Sequence, residues 1–251
     1  MYIVLLTALG VGGATIIGAL IGFAFKKISH NLSDLILSFA AGVMLCAAVF
    51  GLIMPSLEDG NAFSVIITTL GIFFGAVFLN ILDKIIPHLH RLSGIDFEIH
   101  KDAGNKLNKV LLFVMAIAIH NLPEGIAAGV GFGTGDFSRA ITIAGGIALQ
   151  NIPEGMVIIS PMLLAGMSKR RTLLIAALTG AVEIVGTFLG YFAVNISGAI
   201  LPFALSFAGG TMLYVISDEM IPETHHANTR GVTYALLLGF CVMLIMDFYI
   251  G

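Results

Sequence analysis

HNLPEG, residues 120–125, sets an imidazole, an amide, a proline and a carboxylate in an almost wholly apolar run, with KVLLFVMAIAI before it and IAAGVGFG after it. Thirty residues on, QNIPEG at 150–155 repeats the pattern inside IAGGIALQNIPEGMVIISPMLLAG. His120 and Glu124 are four positions apart, as are Gln150 and Glu154, so each pair stacks on one face of a helix. Each pair encloses a proline, Pro123 or Pro153, which removes one backbone donor and frees the carbonyl four residues back, at Ile119 or Leu149.

The rest of the chain explains the apolar setting. It is 58% hydrophobic and 11% charged, with mean hydropathy +1.02, whereas a soluble domain carries about 25% charged residues. These values describe an integral membrane protein whose solvent is the lipid bilayer. Its 30 glycines fit close helix approach in lipid. The net charge of -3 and the lack of a basic face exclude a nucleic-acid partner. Cys46 and Cys241 lie in apolar runs and read as packing residues. MYIVLLTALG opens an apolar run too long for a signal peptide and reads as a retained first helix.

A helix needs about 20 apolar residues to cross the hydrocarbon core, and eight runs qualify: about 3–25, 34–55, 63–86, 107–131, 139–165, 172–193, 198–217 and 232–250. They form a single all-α transmembrane domain over residues 1–251, whose longest connection is the polar segment of about 88–106. Of the 12 Lys and Arg residues, only Arg139 falls in an even-numbered loop. By the positive-inside rule the odd loops, including 88–106, face the cytoplasm, and both termini lie outside. The expectation is a multi-pass protein of the cell membrane.

A second repeat shows in LSFAAGVML at 37–45 and LSFAGGTML at 205–213, identical at seven of nine positions. The two segments open spans of opposite direction, the signature of an inverted repeat of the kind common in secondary transporters. Spans 1–3 would be related to 6–8, leaving spans 4 and 5, with the PEG motifs, as the central pair. Antiparallel crossing of that pair brings His120, Gln150, Glu124 and Glu154 together, and span 6 adds Glu183 near its midpoint.

An ionised carboxylate at the membrane centre costs at least about 2.5 kcal/mol, so three of them call for cations, either protons or a metal. Imidazole, carboxylate and amide donors suit Zn(II), Fe(II), Mn(II), Co(II) or Cd(II), and the absence of a thiolate or Met cluster argues against Cu(I). Asn121, Asn151 and Glu183 could complete an adjoining second position.

These residues resemble the ZIP family of divalent metal transporters, in particular its prokaryotic GufA-like branch, over essentially the whole chain. The resemblance implies a 3+2+3 arrangement of eight helices, a two-metal centre and uptake of zinc or related ions into the cytoplasm by alternating access. Matched residue by residue, it gives His120, Glu124, Gln150 and Glu154 to the primary metal position and Asn121, Asn151 and Glu183 to the secondary one. Two positions depart from the family pattern: many members carry histidine at the position of Gln150, and relatives carry an acid at that of Asn151. Zn2+ is then transported substrate rather than a resident cofactor. A homodimer is compatible with the sequence.

At the cytoplasmic end of span 3 stands LDKIIPHLHRLSG and at that of span 7 VISDEMIPETHHANTRG. Similar residues line the inner release route of the family, which makes Asp83, His88, His90, Asp218 and Glu219 exit candidates. An enzyme is not expected. The chain has no HExxH for a metalloprotease, and its His-x-x-x-Glu order differs from the Glu-x-x-His pairs of di-iron proteins. A carrier of another substrate with the glutamates as proton relays is the remaining rival.

Overall fold

The computed structural model describes residues 1–25, 28–58, 60–85, 118–225 and 229–251. The regular structure in these residues is helical. We number the helices α1 (Tyr2–Ala24), α2 (His30–Cys46), α3 (Ala62–Ile85), α4 (118–131), α5 (Phe137–Val157), α6 (Lys169–Ile196), α7 (Leu201–Val215) and α8 (Thr229–Ile250). A short helix, Ile159–Leu164, prolongs α5. Among the described residues seven helical segments are long and apolar enough to cross a membrane. Of the fourth expected span, 107–131, the described part is 118–131. The loop of about 88–106, with His88 and His90, lies outside the described residues, as does the side chain of Asp83.

Polar residues at the ends of apolar runs start the helices. Ser29, Asp136 and Ser168 cap α2, α5 and α6, each accepting from the backbone N–H three residues on, which satisfies an otherwise orphaned donor. Asp136 is therefore a cap. The α5 helix runs unbroken through Pro153, and α4 through Pro123.

The two LSFA segments share more than letters. After Cys46, α2 widens into a π-helical stretch, Ala47–Ile53, followed by Pro55; after Val215, α7 does the same over Ile216–Met220, followed by Pro222. A π turn inserts one residue into a helix and re-aims the side chains beyond it. Met44 and Met212, at matching positions, are both completely buried.

Glycines set the packing. A Cβ at Gly42 would collide with the carbonyl oxygen of Leu236 and one at Gly239 with that of Phe39, which joins α2 to α8. At the matching positions a Cβ at Gly210 would collide with the Ile72 carbonyl and one at Gly75 with that of Phe207, which joins α7 to α3. Helix α1 lies against both α5 and α6, with Gly12 and Gly180 backbone to backbone. Backbones this close gain van der Waals contact where lipid supplies no hydrophobic drive between helices.

Candidate metal centre

Each PEG motif ends in a glycine, and the structure shows why. A Cβ at Gly125 would collide with the backbone oxygen of Glu183 and lie 2.8 Å from its Cα, so Gly125 lets α6 approach α4 directly beside Glu124. A Cβ at Gly155 would collide with the backbone oxygen of Thr15, so Gly155 admits α1 beside Glu154. The prolines, the acids and these glycines thus place a polar cluster where α1, α4, α5 and α6 meet.

Within it Glu124, Gln150, Asn151, Asn121 and Glu183 are each 2% exposed or less, and Glu154 is half-buried. Gln150 Nε2 donates to Glu124 Oε1 at 2.7 Å. Glu183 receives three donors: Asn121 Nδ2 and Thr15 Oγ1 on Oε1, the latter at 2.8 Å, and Asn151 Nδ2 on Oε2 at 2.5 Å. Asn151 Nδ2 also reaches the carbonyl of Val11 at 3.3 Å. Glu154 and Glu183 are near enough to act electrostatically on Glu124, and His120 on Glu154. His120 Nε2 stands 2.7 Å from Glu219 Oε2, on the π turn that follows α7.

An ionised carboxylate only accepts. Each amide beside one must present its NH2 group, which turns the amide oxygen away. Gln150 Oε1, Asn121 Oδ1, Asn151 Oδ1 and Glu124 Oε2 are accordingly buried acceptors without a hydrogen-bond partner. An unpaired buried polar atom costs about 1–3 kcal/mol. Four in one region suit a cation, and amide and carboxylate oxygens beside the His120 imidazole fit a borderline divalent metal. Among the described residues no three His, Cys, Asp or Glu side chains stand close enough together to hold an ion by themselves.

Apart from Glu154, the residues expected at the centre fall into three groups: Glu124 with Gln150, Glu183 with Asn121 and Asn151, and His120 with Glu219. The last joins one residue expected at the centre to one expected at the exit. Asp218, its neighbour on the π turn, is exposed. Sequence reasoning missed Thr15. Its signal was available, because Gly12, Gly18 and Gly22 in α1 match Gly180, Gly186 and Gly190 in α6 at one constant separation of 168 positions, which is also that of Thr15 from Glu183.

The chain is similar to known proteins over nearly its full length. The family described as ZIP Zinc transporter matches residues 96–247. The chain is 38% identical to Zinc transporter GufA of Myxococcus xanthus, over 98% of each chain. It is 34% identical to Zinc transporter ZIPB of Bordetella bronchiseptica, over 95% of this chain and 78% of that one. Against human Zinc transporter ZIP11 the identity is 29%, over 95% of this chain and 94% of the other. These relatives are named as transporters rather than enzymes, and the chain belongs to the ZIP zinc transporter family.

Proposed function

We propose that this chain carries divalent transition-metal ions, zinc foremost, across the cell membrane into the cytoplasm, by alternating access through a site between α4 and α5. The observation that carries the reading is the pair of buried, unpartnered oxygens on Glu124 and Gln150, which a bound cation relieves. Glu124 and Glu154 supply the negative charge, His120 the nitrogen and Gln150 a neutral oxygen. Zinc is favoured because GufA and ZIPB are zinc transporters by name. Iron, manganese, cobalt and cadmium share the ligand chemistry and differ by geometry and availability.

The architecture is eight helices in a 3+2+3 inverted repeat with both termini outside, supported by the matched π turns and glycine contacts of α2 and α7. Helices α1, α4, α5 and α6 move together against α2, α3, α7 and α8. The glycine contacts support this division. Backbone meets backbone inside each set, as at Gly12 with Gly180, Gly129 with Thr187, and Gly42 with Leu236. Between the sets, Gly51 meets the side chain of Ile143, and Gly145 and Gly146 meet those of Met246 and Met243. Methionine is a deformable contact, suited to a sliding surface. Asp218 and Glu219, with Asp83, His88 and His90, receive the ion on the cytoplasmic side.

Radioactive zinc uptake into proteoliposomes tests the reading. Wild type accumulates zinc, and a Glu124→Ala, Glu154→Ala double variant does not. Equal uptake by the two proteins overturns it, as does a wild type that moves none of zinc, iron or manganese.

A further inference from the structure

Thr15 and Glu183 touch, and they are also counterparts. Gly12, Thr15, Gly18 and Gly22 stand 168 positions from Gly180, Glu183, Gly186 and Gly190, the separation that relates Leu37 to Leu205. The contacts follow the same rule. Gly18 faces the Ile152 carbonyl and Gly186 that of Leu122; Gly22 faces Met156 and Gly190 faces Ile126. Both partner pairs are 30 positions apart, the separation of the two PEG motifs. Helices α1 and α6 thus pack on α5 and α4 as two copies of one arrangement, and cross where one copy carries a hydroxyl and the other a carboxylate.

That difference decides what Glu183 meets. Had α1 carried an acid at position 15, two carboxylates would face each other and require a cation between them. Thr15 instead donates, although the buried threonines of α6 do not reach across: Thr179 and Thr187 bond back to the carbonyls of Ala176 and Glu183. Asn151 supplies a second donor from α5 and Asn121 a third from α4. Hydrogen bonds to an ionised acceptor are the strong ones, and both oxygens of this carboxylate are used. An ionised aspartate at 151 could donate nothing and would return the pair to needing a metal.

We propose that Glu183 is held in this chain by Thr15, Asn121 and Asn151 rather than by a second metal ion, so the protein takes one divalent ion per chain. Thr15 is a positioning residue in this scheme. The clamp joins α1, α4, α5 and α6. The inference rests on the transport reading and settles the number of ions at its site.

Equilibrium zinc titration of the purified full chain, with zinc counted by mass spectrometry alongside uptake, tests it. Wild type and Glu183→Gln each retain one zinc per chain, whereas Asn151→Asp takes up two and Asn151→Asp, Glu183→Gln returns to one. Two ions in the wild type, falling to one in Glu183→Gln with uptake present in the wild type, overturn the clamp and leave the transport reading standing. One ion in both wild type and Asn151→Asp overturns the role given to Asn151. A wild type that neither binds nor moves zinc overturns the transport reading and the ion count with it.

Discussion

His120 Nε2 lies 2.7 Å from Glu219 Oε2, so α4 is tied directly to the π turn beyond α7. The pair bridges the helices proposed to move and those proposed to stay. An interaction that must form and break in each cycle affects rate more than ground-state affinity for the ion. Glu219→Ala should slow zinc uptake about tenfold, equivalent to about 1.4 kcal/mol in the barrier, while zinc affinity in equilibrium titration changes less than uptake does. Loss of affinity in proportion to uptake would make Glu219 a ligand of the central site instead.

The glycines of the PEG motifs are predicted to be intolerant in a way that open glycines are not. Gly125→Ala and Gly155→Ala each place a methyl group against backbone, and such overpacking costs about 1–3 kcal/mol. A methyl group at Gly10 or Gly13 would meet nothing within 4 Å. Their alanine variants should match or exceed wild type in thermal unfolding in detergent, because alanine is the better helix former.

Much of this site is legible in the sequence because its chemistry conflicts with its solvent. Glu124, Glu154 and Glu183 in hydrocarbon, with His120 and Gln150 at helical spacing, announce a cation, and the LSFA pair reveals part of the internal duplication. The pairing of His120 with Glu219 was not legible, because spacing within each helix carries no information on which helices cross. Thr15 escaped notice for a different reason. A threonine in a membrane helix ordinarily satisfies its hydroxyl on its own backbone, as Thr179, Thr187 and Thr211 do, and only the crossing of α1 with α6 turns it toward Glu183. The π turns left no trace in composition beyond Pro55 and Pro222.

Thr15→Val keeps the shape and removes the donor. Polar pairs within membranes average about 0.6 kcal/mol and reach about 1.7, and a carboxylate acceptor puts this one near the top of that range. The variant should lose about 1–2 kcal/mol of stability, and Thr15→Ser should recover most of it. Equal stability of the valine and serine variants would show that the hydroxyl contributes nothing.

In the first turn of α5, Arg139 meets Glu58 at 2.5 Å, with the two side chains 28% and 61% exposed. Exposed pairs are worth about 0–1 kcal/mol. Arg139→Ala should therefore move the unfolding transition little, and the small effect should shrink further at 1 M salt, where the Debye length falls to about 3 Å. A loss above about 2 kcal/mol would place this pair among the structural ties of the fold.

The central claim is that the two PEG helices cross to make a cation site, and diffraction from zinc-loaded crystals at the zinc absorption edge tests it most directly. The account predicts an anomalous peak between α4 and α5, with Glu124, Glu154 and His120 atoms at about 2.0–2.2 Å and Gln150 beside it. Zinc bound only at the acids Asp218 and Glu219, or no peak between the two helices at saturating metal, would contradict it.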